Sequence, residues 1–359
     1  MTEGRACGGE FGNSAVGKFA IIHYMEVRQH MEINRRNFLG AGALAVAAGL
    51  AANKASGAGE HNFVRGRKFV AACPPVKESI PRTPGPYRVM MIGGHPDDAD
   101  IICGCTAAKL IAKGCRVRFV AACNGDIGHH IHDKPTTAAI RRRETLEAAK
   151  VWGLDGYDIY GFGDARCPNT IEAREMVAAH ILDFEPDIIM THRDCDYHVD
   201  HRAIGTLVKD CGYMLGCPHW IEGHKALRRR PLILLMSDIF TVPRVMRPDI
   251  LVEADPYIEK WCDALSCQVS QFFEWLAWDK GIEDEVRAIG DLKTNIAGRN
   301  AYLRKYWARR KANDAARFSA AWRQQYPSTP LPKYIESYEV SEYGRAPIEE
   351  DFRLLMEDA

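Results

Sequence analysis

Two stretches of this chain hold the side chains that metal-assisted hydrolysis needs. The first is Gly93-Gly94-His95-Pro96-Asp97-Asp98-Ala99-Asp100. The second, far along the chain, is Thr191-His192-Arg193-Asp194-Cys195-Asp196-Tyr197-His198-Val199-Asp200-His201. Imidazoles mixed with carboxylates suit a borderline cation. Two His and one carboxylate with a position left open is how a catalytic zinc is held. Magnesium or calcium would call for more oxygen ligands and fewer imidazoles. The acids of the first stretch would repel a pyrophosphate, and no G-x-G-x-x-G precedes them, which speaks against a nucleotide-dependent oxidoreductase.

Such a site needs elements that bring the two stretches together. Apolar runs at 87–92, 115–123, 157–161 and 187–191 read as short strands, with further strands at 232–236 and 250–253. Helical spacing fills 99–113, 136–152, 171–184 and 201–215 between them. Strands alternating with helices of this length imply βαβ units and a mostly parallel sheet. His95 and its neighbours fall at the carboxyl end of the first of these strands, and the second stretch follows the fourth. If the strand order reverses beside the first strand, these two are neighbours and their loops face one crevice, where α/β sheets bind ligands. That arrangement would gather His95, Asp98, His198 and His201. Each stretch also has a purely structural reading. Asp97 and Asp98 could complement a helix dipole, and His198 and His201 could be surface residues at a helix start.

His95-Pro96-Asp97-Asp98 together with His198-x-Asp200-His201 resembles the PIG-L/LmbE-like N-acetylglucosaminyl deacetylase family. Arg141-x-x-Glu144, Phe162-Gly163-Asp164 and the loop Asn124-Gly125-Asp126-Ile127-Gly128-His129-His130 add to the likeness, which runs from about residue 88 to 253. Two positions depart from the family pattern: Ala99 stands before Asp100 where Glu often follows the aspartates, and Val199 replaces a usual Pro. The resemblance implies a Rossmann-like three-layer α/β fold and Zn²⁺ held by His95, Asp98 and His201. It also implies Asp97 as general base and His198 as acid or oxyanion stabiliser. Zinc lowers the pKa of its water to about 7 and polarises a carbonyl, so the reaction expected is attack by that water on an N-acetyl amide of an amino sugar or conjugate. Arg141 is expected to bind substrate, and Asp196 or Asp200 to hydrogen-bond His198 and fix its tautomer. A solvated i,i+3 ion pair between Arg141 and Glu144 is an equal alternative. His129, His130 and His132 read as loop residues, with a lid over the site as the sharper alternative.

The whole chain has 359 residues, with 47 Lys+Arg balanced by 47 Asp+Glu. Zero net charge lacks the basic excess of a nucleic-acid binder. The N-terminal 58 residues read as a signal region with Met31 as the true start. Arg35-Arg36-Asn37-Phe38-Leu39 resembles a twin-arginine (Tat) signal, and the apolar run after it is shorter than the ~20 residues a spanning helix needs. Export to the periplasm or cell envelope through the Tat machinery follows as an expectation. Residues 59–86 read as a linker or arm, 87–255 as the deacetylase core, and 256–359 as a helical C-terminal extension whose aromatics form a packing face. The 12 Cys include no C-x-x-C pair, and those at 103, 105, 115 and 123 read as small core residues. The partners expected are a small-molecule or glycoconjugate substrate and no nucleic acid, with self-association left open. Two readings compete with the sugar deacetylase: a zinc amidase for a non-sugar or thiol-conjugate amide, and a non-catalytic carbohydrate-binding protein.

Overall fold

The computed structural model describes residues 61–63, 67–69, 75–77 and 79–357. The signal region lies outside the described residues, as does part of the arm. Within that arm, β1 (His61–Phe63) pairs antiparallel with β2 (Arg67–Phe69).

The core is a seven-stranded sheet. Its strands are β3 (Arg88–Gly93), β4 (Arg116–Cys123), β5 (Gly156–Phe162), β6 (Ile188–Thr191), β7 (Leu232–Met236), β8 (Ile250–Glu253) and β9 (Ile335–Val340), in the spatial order β5-β4-β3-β6-β7-β9-β8. Strand order reverses between β3 and β6, which pair in parallel from Val89↔Ile188 to Ile92↔Thr191. The two chemistry-bearing loops therefore leave adjacent strands at the same edge.

Both faces of the sheet are covered, as the continuous apolar runs of parallel strands require. On one side, Val89, Met91 and Phe119 pack under α1 (Asp98–Ala112), α2 (Lys134–Trp152) and α5 (Ile258–Leu265). On the other, Met90, Ile92 and Val120 pack under α3 (Ile171–Phe184) and α4 (Val199–Met214). The alternation at residues 89–92 is the two-residue period of a strand buried on both faces. This is the Rossmann-like three-layer fold. The buried thiols of Cys103, Cys105, Cys115 and Cys123 are unpaired and serve as core packing.

After Pro256 the chain is mainly helical, as the sequence suggests. Beyond α5 it makes a wide π-helical turn at Ser270–Trp275. Then come α6 (Leu276–Lys280), α7 (Glu283–Ile289), α8 (Ile296–Tyr306), α9 (Arg309–Arg317), α10 (Ser319–Gln325) and α11 (Glu349–Met356). The periodicity does not reveal β9, which runs antiparallel between β7 and β8. Its six residues, Ile-Glu-Ser-Tyr-Glu-Val, mix apolar and polar without a regular period, yet all are buried. The polar ones have partners. Glu336 accepts the Cys105 and Thr106 N–H groups of α1 at 3.0 and 2.7 Å and pairs with the buried Lys311 of α9. Lys311→Met would leave that carboxylate buried without its counter-charge and should cost about 3–5 kcal/mol. Urea unfolding of the variant beside the parent measures it.

Candidate metal centre

The first loop is shaped by close approach. A Cβ on Gly94 would stand 2.6 Å from Cδ2 of His201, and one on Gly93 would stand 2.7 Å from Cβ of Asp98. Only glycines let β3 end so near the second stretch. His95 then faces α4, and Asp98 opens α1. Asp97, between them, has φ +150° and ψ −23°. A non-glycine residue rarely adopts that conformation, and such strain concentrates at functional sites. The Asp97 side chain makes no cap hydrogen bond to α1, so helix capping does not explain it.

Three ligand atoms converge. Nδ1 of His95 and Nε2 of His201 are 3.2 Å apart. Oδ2 of Asp98 lies 3.5 Å from the former and 3.2 Å from the latter. A tetrahedral ion with bonds of about 2.0–2.1 Å holds its ligand atoms about 3.3–3.4 Å from one another. The triangle has those dimensions, so these residues fit a divalent cation with a further position left over.

Carboxylates orient both imidazoles from behind. Asp200, fully buried, contacts Nε2 of His95 at 3.0 Å and accepts the backbone N–H groups of Ala165 and Cys167 at 2.6 and 3.0 Å. Asp196 accepts from Nδ1 of His201 at 3.0 Å and from the backbone of His198 at 2.9 Å. His95 therefore presents Nδ1 and His201 presents Nε2. The sequence reading has Asp196 or Asp200 holding the His198 ring. Both carboxylates are at the site, but they serve His95 and His201. The reason is that His198 sits at the N-cap of α4, with its Nδ1 accepting the Asp200 N–H at 3.3 Å. The neutral His198 ring then carries its proton on Nε2. It packs edge-on against His95, with ring centroids 4.4 Å apart.

The electrostatics call for positive charge in this spot. Burial alone would lower both imidazoles. Hydrogen bonds to Asp200 and Asp98 lift His95 to about 10, and the charge of Asp98 with the Asp196 bond lifts His201 to about 9. Burial opposes ionisation of Asp98, yet the charge of His201 and the contacts with His192 and His201 hold it well below the usual range. Asp97 moves the other way: burial outweighs its Arg141 partner and raises it to about 7. That is a suitable value for a group that must take and return a proton near neutrality. Burial, then repulsion from His95 and His201, lowers His198 to about 4.

Arg141 is at the site but is not open to a ligand. It is 3 % exposed, and its guanidinium lies 3.2 Å from Asp97 and donates to the Pro96 carbonyl and to Gln271. Arg141, expected to bind substrate, has its guanidinium turned to Asp97 in this structure. Glu144 does not pair with it either. That carboxylate accepts the N–H and hydroxyl of Ser270 at 3.0 and 2.6 Å. Asp100 lies in the core, held by Trp152 and Tyr157 at 2.7 and 2.8 Å.

Three further residues escape the sequence reading. His192 is buried and stacks on His201 at 4.0 Å. Its Nε2 lies 3.2 Å from the Gly94 N–H and 3.3 Å from Oδ2 of Asp98, so Asp98, His192 and His201 also come within reach of one ion. Asp164 accepts from Gly125 and Ile127 at 2.9 and 3.4 Å, fixing the loop after β4. Its place in Phe162-Gly163-Asp164 was the available signal. Gln271 carries no local signal at all. His129 and His132 lie face to face with ring centroids 4.4 Å apart, and His130 stacks flat on Trp278 at 4.8 Å. Nδ1 of His129 accepts the Ile131 and His132 N–H groups at 3.1 and 3.2 Å and its Nε2 contacts Glu274 at 2.9 Å, so both ring nitrogens serve the loop.

Comparison with known proteins agrees with this architecture. Residues 90–211 match the family model described as PIG-L, GlcNAc-PI de-N-acetylase. Over that stretch the chain is similar to the PIG-L/LmbE-like family. It is 29 % identical over 123 residues to the uncharacterized deacetylase YaiS of Escherichia coli K12, across 32 % of this chain and 63 % of that relative. It is 25 % identical over 199 residues to the diacetylchitobiose deacetylase of Thermococcus kodakarensis, across 54 % of this chain and 73 % of that protein. Among solved structures, the N,N'-diacetylchitobiose deacetylase of Pyrococcus horikoshii, in complex with its inhibitor MPG, shares the fold. The TM-score is 0.52 and the identity 21 %, over 71 % of this chain and 84 % of that one.

Replacing either outer carboxylate tests the centre without touching a ligand. Asp196→Asn or Asp200→Asn should weaken zinc affinity about 10–100-fold, read by competition against a chromophoric chelator.

Proposed function

We propose that this chain is a zinc-dependent hydrolase that removes an acetyl group from the nitrogen of an N-acetylglucosamine-type amino sugar or its conjugate. The observation that carries the reading is the His95–Asp98–His201 triangle with the strained, non-capping Asp97 beside it. The family match at 90–211 supports the reaction class, and the relatives' names support the amino-sugar substrate. In this reading, His95, Asp98 and His201 hold zinc, which supplies Lewis acidity: water becomes a better nucleophile near pH 7 and an amide carbonyl becomes a better electrophile.

The chain's own residues do the rest. Asp97 takes the proton of the attacking water and passes it to the leaving amine. His198 donates from Nε2 to the oxygen on which charge develops, where a fixed donor favours the transition state. Asp200 and Asp196 hold the two ligand rings in their tautomers. The twin-arginine stretch supports export to the periplasm or cell envelope by the Tat machinery, which sequencing the N terminus of the mature protein checks.

The experiment is acetate release by the purified, zinc-loaded chain over a panel of N-acetyl sugars and glycoconjugates, N,N'-diacetylchitobiose among them. Release should vanish with a strong chelator and return with Zn²⁺. Release that persists in metal-free protein overturns the metal. Release from non-sugar amides alone overturns the substrate while keeping the amidase.

A further inference from the structure

The π-helical turn at Ser270–Trp275 grips the element behind the site at consecutive residues. Ser270 donates twice to Glu144 of α2. Gln271, 6 % exposed, accepts from Nη1 of Arg141, one helical turn away on the same face. Arginine has only donors, so the glutamine must present its Oε1. The other guanidinium arm, Nη2, donates to the Pro96 carbonyl and lies 3.2 Å from Oδ2 of Asp97. Glycines clear space around this bridge: a Cβ on Gly125 or Gly128 would stand 3.0 or 3.1 Å from the guanidinium group of Arg141. The turn is held in its own right, since Tyr302 of α8 donates to the Phe272 carbonyl at 2.9 Å. Wide turns of this kind are often found at functional sites.

A guanidinium is a rigid planar fork. Fixing one arm fixes the direction of the other. Asp97 sits at φ +150°, a conformation it would leave without an external hold. Its carbonyl accepts the Ile101 N–H at 2.8 Å, and its side chain is held by Arg141, which takes both the carboxylate and the carbonyl just before it. Arg141 is in turn aimed by Gln271.

We propose that Gln271 is a positioning residue for the reaction: through Arg141 it sets the place of the Asp97 carboxylate, so the C-terminal segment is part of the active-site machinery. This rests on the reading of Asp97 as the base.

The test compares Gln271→Leu and Gln271→Glu in the full chain. The leucine variant loses the acceptor. The glutamate variant keeps an oxygen in the same place. Misplacing a reacting group by about 1 Å can cost about 10²-fold, so Gln271→Leu should lower kcat about 10–100-fold on N,N'-diacetylchitobiose. KM and zinc content should stay unchanged, and Gln271→Glu should restore most of the loss. Adding Gln271→Leu to Asp97→Asn should cost little more than Asp97→Asn alone, because both act on one group. A crystal structure of Gln271→Leu gives a readout independent of turnover: Asp97 should relax from its left-handed backbone and part from Arg141. Parent-like kcat in Gln271→Leu, a full additional loss in the double variant, or an unmoved Asp97 overturns the proposal. Parent-like turnover in Asp97→Asn would overturn the functional reading instead.

Discussion

Asp97→Asn is expected to keep its zinc and lose about 10²–10⁴-fold in turnover, the usual worth of a positioned general base. The amide keeps the shape of the carboxylate but cannot take a proton. Asparagine tolerates left-handed backbone about as well as aspartate does, so the loop should hold its course. The buried Arg141 loses a counter-charge and keeps Pro96 and Gln271 as partners. Elemental analysis of the purified variant and its rate of acetate release together give the answer. A variant with full zinc and parent-like rates would remove Asp97 from the chemistry. One that emerges without zinc would make Asp97 part of the metal's hold.

His201→Ala is expected to do the opposite and lose the metal itself. Three contacts disappear with the ring: those to Asp98 at 3.2 Å, to His95 at 3.2 Å and to Asp196 at 3.0 Å. His192 stays stacked beside the vacated position, with its Nε2 3.3 Å from Oδ2 of Asp98. Turnover should fall to that of the chelated parent. Thermal unfolding gives a second readout. A metal that binds only the folded chain stabilises it by RT ln(1 + [L]/Kd), or about 2.7 kcal/mol at one hundred times Kd. Added Zn²⁺ should raise the midpoint of the parent and leave that of His201→Ala where it was. A variant that still shifts with zinc would mean that other groups hold the ion, His198 first among them.

The parts of this site that were legible in the sequence are those fixed by local pattern. Alternating strand and helix runs placed β3 to β8, and the span given to α3, Ile171–Phe184, agrees to the residue. The two loops were readable because the end of a strand and the start of a helix leave few other places for a cluster of His and Asp. What stayed hidden depends on contacts between distant segments. Asp196 and Asp200 both bond His198 through backbone groups, but the pattern gives no sign that their carboxylates also meet the His201 and His95 rings across the crevice. Arg141 and Glu144 look like an i,i+3 pair because the chain gives no sign that Ser270 and Gln271 return to meet them. β9 hid for a similar reason. The carboxylates of Glu336 and Glu339 are neutralised by Lys311 and Arg244, so a buried strand carries charges that read as solvent-facing.

The position of β9 has a consequence for how the molecule is made. Among the described residues β8 hydrogen-bonds to no strand but β9, and its residues precede those of β9 by most of the C-terminal segment. On a ribosome, β7 and β8 therefore emerge with nothing between them. The sheet stays open at β7 until residues 335–340 have been synthesised. A message truncated before residue 335 would yield a chain with two unpaired strand edges, which is the template for sticking to its neighbours. Closure of the sheet thus waits on residues 335–340.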